Sequence, residues 1–216
     1  DYNCVVFADE NGKGYVIDET AFDEELIFIK EKVNFIYLGP MTEKMQEKVI
    51  KKLKPYKDRI EELIEENVIF LITGNAIEIF GKYIENEDGS KIEALGIFDI
   101  YAKRDMLHRY NSIFIGKWEN IDIVGFKSQF TFAYGNNEEN YFAKVEKGVG
   151  LNKKSKFEGI MKNNFIATYL IGPILILNPL FTEKLLKKMK FNNTKIAFEE
   201  DIKAAYNQRL QEFKKL

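Results

Sequence analysis

Asn67-Val68-Ile69-Phe70-Leu71-Ile72 runs almost without polar interruption into Thr73-Gly74-Asn75. A strand with one face in water alternates apolar and polar residues. An unbroken apolar run suits a strand covered on both faces, as in a parallel sheet sandwiched between helices. A second run of the same character, Asn34-Phe35-Ile36-Tyr37-Leu38, stops at Gly39-Pro40 and is expected to be another buried central strand. Between the two, a charged stretch from Thr42 places Met45, Val49, Ile50 and Leu53 at helical spacing, breaks at Pro55, and resumes with Ile60, Leu63 and Ile64. Strand, crossover helix and strand make a βαβ unit. The expected fold is therefore α/β, three layers deep, with a mostly parallel central sheet flanked by helices.

Residues 4–7 and 15–17 read as strands around a Gly12-Lys13-Gly14 turn, and residues 20–32 as a short helix. The strand at 67–72 is expected to turn sharply at Gly74 into a helix from Ala76 to about Ile84. Beyond Asp88-Gly89, the segments 112–115, 121–126, 141–145 and 165–170 show period-two patterning with Gly and Asn between them. They are expected to add antiparallel and edge strands to the sheet. Helices at 180–189 and 198–213 close the chain. With 216 residues and no repeat or linker, one domain spanning 1–216 is expected. The first residue is Asp1 rather than Met, so the native start is expected to be missing.

A formal charge of -2 provides no field to attract nucleic acid. No apolar stretch approaches the roughly 20 residues that cross a bilayer, so no membrane insertion is expected. A single cysteine, Cys4, rules out an internal disulfide framework and fits the cytoplasm. Neither a metal site nor a bound cofactor is indicated, because no ligand cluster has the required spacing and the short Gly148-Val149-Gly150 run lacks a phosphate-binding fingerprint.

Strand, sharp turn, helix is the geometry of a nucleophile elbow, yet the inventory of reagents is small. His108 is the one histidine, and it sits in the charged connector Lys103-Arg104-Asp105-Met106-Leu107-His108-Arg109, where a solvated surface role is expected. Cys4, in an apolar run, reads as a small buried hydrophobe. A nucleophilic serine, threonine or cysteine needs a base beside it, and His108 would have to be that base. Paired carboxylates such as Glu61-Glu62 and Glu65-Glu66 lie on polar helix faces.

Four segments taken in order resemble the cobyric-acid-synthase-type (CobB/CobQ-like) class I glutamine amidotransferases, whose fold is flavodoxin-like. Phe35-Ile36-Tyr37-Leu38-Gly39-Pro40 is similar to the strand and loop that supply an oxyanion-hole amide. The run from Asn67 to Gly81, continued by Asp88-Gly89-Ser90-Lys91-Ile92-Glu93-Ala94-Leu95-Gly96, resembles the elbow and the segment beyond it. Gly125-Phe126-Lys127-Ser128-Gln129 corresponds to a Gly-Phe-Glu-Asn-His run. Ala167-Thr168-Tyr169-Leu170-Ile171-Gly172-Pro173 corresponds to the motif that delivers the catalytic histidine.

The departures are chemical. Counting back from Gly81 puts Gly74 at the nucleophilic cysteine, Asn75 and Ala76 at two glycines, and Glu78 at a glutamine; counting along the fourth motif puts Ile171 at the histidine. The cysteine forms a glutamyl thioester and the histidine carries its proton, so the resemblance implies a domain without catalytic residues. Thr73 or Ser128 as a substitute nucleophile would have no base.

The resemblance is closest to glutaminase subunits that work beside a Mur-ligase-like protein in amidating the bacterial peptidoglycan stem peptide, which makes such a protein the expected partner. Gly39, Thr73, Gly74, Asn75, Glu78, Arg109 and Gln129 are the candidate ligand-binding residues of the former glutamine pocket. Arg109 matches, with a one-residue gap, an arginine that helps hold glutamine, and reads equally well as a surface residue. Two alternatives to a partner-binding or regulatory subunit stand beside it. One is a module that binds glutamine or another small molecule. The other is a working subunit that relies on free ammonia and its partner's chemistry.

Overall fold

The computed structural model describes residues 20–189 and 196–216. The strands expected at 4–7 and 15–17, with Cys4, lie outside the described residues. From residue 35 the chain forms β1 (Phe35–Leu38), α1 (Glu43–Leu53), a 3-10 turn at Lys54–Tyr56, α2 (Lys57–Glu65) and β2 (Ile69–Thr73). Thr42 caps α1 by accepting from the Met45 amide at 3.3 Å, and Pro55 falls in the 3-10 turn, which accounts for the break. A 3-10 segment, Gly74–Phe80, leads to β3 (Tyr83–Glu85), β4 (Lys91–Glu93), β5 (Ile100–Arg104), β6 (Tyr110–Trp118), β7 (Ile121–Gln129) and β8 (Thr131–Gly135). Next come β9 (Ala143–Lys147), β10 (Phe157–Glu158), β11 (Ile160–Lys162), β12 (Phe165–Thr168), α3 (Ile174–Leu177), α4 (Pro179–Lys188) and α5 (Glu199–Lys215).

The strands form three four-stranded sheets, ordered β1-β2-β12-β11, β10-β9-β6-β7 and β4-β3-β5-β8. In the first, β1, β2 and β12 are parallel and β11 is antiparallel, which makes this sheet mostly parallel as expected. The other two supply the antiparallel additions, apart from the parallel β3–β5 pair.

Successive residues of β2 enter different cores. Phe70 and Ile72, with Phe165 and Ala167 of β12, pack against Ile50, Leu53, Ile60, Leu63 and Ile64 of α1 and α2. Ile69 and Leu71, with Ile166, pack against Phe114 and Trp118 of β6 and Phe181 and Leu185 of α4. Burial on both faces is why the sequence of β2 has no polar alternation. Each large apolar side chain removed from water in this way stabilises by about 1.5–3 kcal/mol.

Four elements differ in detail from the sequence expectation. Residues 20–32 form turns and one 3-10 helix, Ile27–Ile29, not an α-helix. Their apolar residues are consecutive rather than spaced for one helical face, and Lys52 Nζ binds the carbonyls of Ala21, Phe22 and Glu24 that an α-helix would use internally. The helix after Gly74 is 3-10 and ends at Phe80, because Gly81 packs against the Ile100 carbonyl, where a Cβ would lie 2.7 Å from the oxygen, and the chain turns into β3. Among the described residues β1 is an edge strand with Tyr37 exposed, not a central one. Residues 165–168 join β2 in parallel at the sheet centre, since all four are buried and the period-two reading does not describe them.

Phe165 gathers three rings, Phe70, Phe80 and Phe98, at centroid distances of 5.4, 5.0 and 4.8 Å. Phe165→Ala is expected to cost about 3–5 kcal/mol, read as a lowered urea midpoint.

Candidate functional site

In open α/β sheets the site lies beyond the carboxyl ends of the parallel strands. Here those ends deliver Gly39 from β1, Gly74 from β2 and Ile171 after β12. Gly74 adopts φ +62°, the left-handed region that glycine tolerates. A Cβ on Gly74 would lie 2.6 Å from Pro40 Cβ, 3.3 Å from Pro40 Cα and 3.4 Å from Ile171 Cγ2. Positions 74 and 171 are therefore neighbours, as the motif alignment requires, and Pro40 occupies the space that a side chain at 74 would need.

Asn75 joins the two loops. Its Oδ1 accepts from the Met41 amide at 3.0 Å and its Nδ2 donates to the Met41 carbonyl at 2.7 Å. An amide of the Gly39-Pro40-Met41 loop, the loop that would supply an oxyanion donor, is thus already bonded. Beside it, Tyr37 Oη and Thr73 Oγ1 are 3.2 Å apart.

Beneath the elbow Glu78 is buried. Gln46 Nε2 donates to its Oε2 at 2.9 Å and to the Asn75 carbonyl at 2.7 Å, and Tyr169 Oη donates to its Oε1 at 3.1 Å. Desolvation outweighs these donors and the nearby Arg104 charge, and pushes the carboxyl up to about 7. Arg104 in turn donates to Gln46 Oε1 at 2.8 Å.

A second buried group lies under β12. Lys127 and Glu158 are both 0 % exposed and form an ion pair. Lys127 also donates to the Gly150 carbonyl at 2.7 Å, while Glu158 Oε1 accepts from Thr168 Oγ1 at 2.8 Å and from the Tyr169 amide at 2.7 Å. Burial lowers the Lys127 ammonium pKa, and Glu158 opposes that shift. The pair fixes the backbone two residues before Ile171, which itself bridges to Phe126 through a 3.1 Å bond from the Ile171 amide.

The structure brings Gly39, Thr73, Gly74, Asn75 and Glu78 into one neighbourhood. The other two candidates have their partners elsewhere. Arg109 is exposed, with its guanidinium 4.5 Å from the Phe130 ring centroid, and Gln129 is buried and donates to the Thr131 carbonyl at 2.6 Å. His108 is on the surface, as read from sequence, and 2.8 Å from Asp105.

Sequence reasoning missed Gln46, Arg104, Tyr169 and Glu158. Gln46 did leave a signal, as a polar residue in the stripe 46, 50, 53 that otherwise faces the core. The partners of Glu158 come from β7 and the end of β12, separations that no local pattern reports.

A mixed α/β fold with an elbow at the end of a parallel strand is the frame on which several classes of α/β domain carry a nucleophile. Residues 10–178 match the CobB/CobQ-like glutamine amidotransferase domain, and the chain belongs to that family. It is 30% identical over 158 residues to the lipid II isoglutaminyl synthase (glutamine-hydrolyzing) subunit GatD of Staphylococcus aureus (strain N315). The match takes in 73% of this chain and 64% of that protein, so it spans somewhat less than two thirds of the relative's length. A crystal structure of a glutamine amidotransferase shares the fold, with TM-score 0.50 and 12% identity over 74% of this chain and 80% of the other. Among the described residues, no helix is long and apolar enough to cross a membrane.

Two outcomes are expected at the buried charges. An acid whose folded pKa is raised favours its protonated form, so the Glu78 contribution is most favourable below about 4.5 and is lost as pH rises through about 7. Glu78→Gln should remove that loss and be up to about 3 kcal/mol more stable than the parent above pH 7, with little difference at pH 4; denaturation across that range measures it. Lys127→Met strands Glu158 and should cost about 3–5 kcal/mol. Adding Glu158→Gln should recover much of the loss, which a double-mutant cycle in urea would quantify.

Proposed function

We propose that this chain is a non-catalytic glutamine amidotransferase-like subunit that serves as a partner-binding or regulatory module beside a Mur-ligase-like protein in cell-wall peptide amidation. The observation that carries this reading is the contact at Gly74. The position aligned with the thioester-forming cysteine has no side chain, the position aligned with the proton carrier is an isoleucine, and a Cβ at the first would meet both Pro40 and that isoleucine. In a protease triad, removing either kind of reagent costs about 10⁴ to 10⁶ in rate.

The same contacts count against a small ligand in the former pocket, because Pro40, Ile171 and the Asn75–Met41 pair occupy it. Placement in lipid II amidation rests on the likeness to GatD, which is a subunit of an enzyme that acts there. A partner surface is available around the elbow. Tyr37, hydrogen-bonded to Thr73, and Phe126, bridged to Ile171, are 55% and 42% exposed. Large apolar side chains so placed are suited to protein contact.

The chain is expected to co-purify with a Mur-ligase-like protein when the two are co-expressed, and Tyr37→Asp with Phe126→Asp should weaken that complex by about tenfold or more. An ammonia-release assay on the complex with glutamine should give no signal above background. Gly74→Cys with Ile171→His should also stay silent, since Pro40 blocks the new Cβ. Ammonia release by the unaltered complex that disappears in Thr73→Ala would overturn the reading.

A further inference from the structure

Glu78 lies on the 3-10 segment that begins at Gly74 and is 1% exposed. The groups that face it are Gln46 and Glu43 from α1, Arg104 from β5 and Tyr169 after β12. None of them neutralises it. Arg104 makes its ion pair with Glu47 at 3.2 Å and gives its bond in this layer to Gln46 Oε1, while Glu43 carries the same charge as Glu78. Beyond Tyr169, the Lys127–Glu158 pair neutralises itself. A buried carboxylate held by two uncharged donors, Gln46 Nε2 and Tyr169 Oη, is a costly ion.

The hydrogen bonds say where a proton goes. Both N–H groups of Gln46 are taken, by Glu78 Oε2 at 2.9 Å and the Asn75 carbonyl at 2.7 Å, and its Oε1 accepts from Arg104 at 2.8 Å. Turning this amide over would set acceptor against acceptor at Asn75 and donor against donor at Arg104, so a proton on Oε2 would face an N–H. Oε1 faces Tyr169 Oη at 3.1 Å, a hydroxyl that can donate to a carboxylate or accept from an acid. Glu78 therefore takes up its proton on Oε1, and the tyrosine's own hydrogen turns away. The relay from Gln46 to the Asn75 carbonyl, and from the Asn75 side chain to Met41, is kept intact.

We infer that Glu78 is a proton-operated latch beneath the elbow. Neutral, it lets Gln46, Asn75 and Tyr169 close over it; ionised, it favours a minor open form in which water reaches the carboxylate and the Asn75–Met41 clasp parts. The relay runs outward through Asn75 to Met41, both half-buried, and this is the side on which water has access. Burial raises the carboxyl from 4.5 to about 7, so closure is most favoured below about 4.5 and that preference is lost as pH rises through about 7. The latch belongs to the chain alone and stands whether or not a partner docks on the elbow.

Amide hydrogen exchange of the full-length chain, divided by the intrinsic rate at each pH, tests it. The reporters are Met41, whose amide donates to Asn75 Oδ1, and Phe70 in β2, whose amide donates to the Asn164 carbonyl. Between about pH 5 and about pH 8, Met41 should lose protection by about tenfold or more, as opening returns the carboxyl towards its ordinary range. Low urea should leave Met41 unchanged while hastening Phe70, which marks a local opening distinct from global unfolding. Glu78→Gln keeps every other titratable group and should hold Met41 at its low-pH protection throughout. Tyr169→Phe removes one donor to the carboxylate, and the pH at which the loss levels off should move up by about one unit. Met41 protection that ignores pH, an equal response in Glu78→Gln, or acceleration of Met41 by urea in step with Phe70 would overturn the latch. An unmoved plateau in Tyr169→Phe would overturn the pairing of the proton with Tyr169.

Discussion

Two-sided burial of β2 organises the molecule. Its residues alternate between a core shared with α1 and α2 and a core shared with β6 and α4, so neither core can form without the strand. The close-packed interior then fixes where the strand ends. Thr73 is the last residue of the strand, and Gly74, buried and in the left-handed region, redirects the chain. The loops after β1 and β12 reach the same level because both strands run parallel to β2. The meeting of Gly39, Gly74 and Ile171 follows from strand register before any side-chain chemistry is considered.

The parts of this arrangement that were legible in sequence are those with local causes. The β2 run, the Pro55 break and the glycine at the elbow each act on their own few residues, and each read correctly. The reading of 20–32 went astray because the decisive interaction, Lys52 on three carbonyls, comes from another element. Strand 165–168 pairs antiparallel with β11, as expected, but its short apolar run carries no sign that it also lies at the sheet centre, parallel to β2. The motifs point to Gly74, Ile171 and Glu78, which the structure places in one region, but give no hint that Pro40 packs against Gly74 or that Asn75 clasps Met41. Those contacts depend on the relative height of two loops, which the fold sets and the sequence does not display.

Buried polarity is unevenly distributed. The layer between the elbow and the β3–β5 sheet contains Gln46, Glu78, Arg104 and Tyr169 in one continuous set of hydrogen bonds. Such a set restricts motion, since moving one member leaves another unsatisfied in a low-dielectric interior. Asn75 belongs to it through the bond from Gln46 to its carbonyl. The elbow and the Gly39–Met41 loop are thereby held to the helix behind them, and the surface around Gly74 is presented as a rigid one.

The Lys127–Glu158 pair acts on strand alignment. Lys127 comes from β7 and Glu158 from β10, and neither touches water. Side chains on a strand alternate faces, so a slip of β7 by one residue would bring Phe126 or Ser128 inward and turn the ammonium out. Glu158 would then be a bare charge beneath Thr168 and Tyr169. A misregistered sheet is penalised by a full unpaired charge, a much steeper penalty than apolar contacts alone would impose. The pair therefore works as a register lock, and the segment it aligns is the one that carries Ile171 to Gly74.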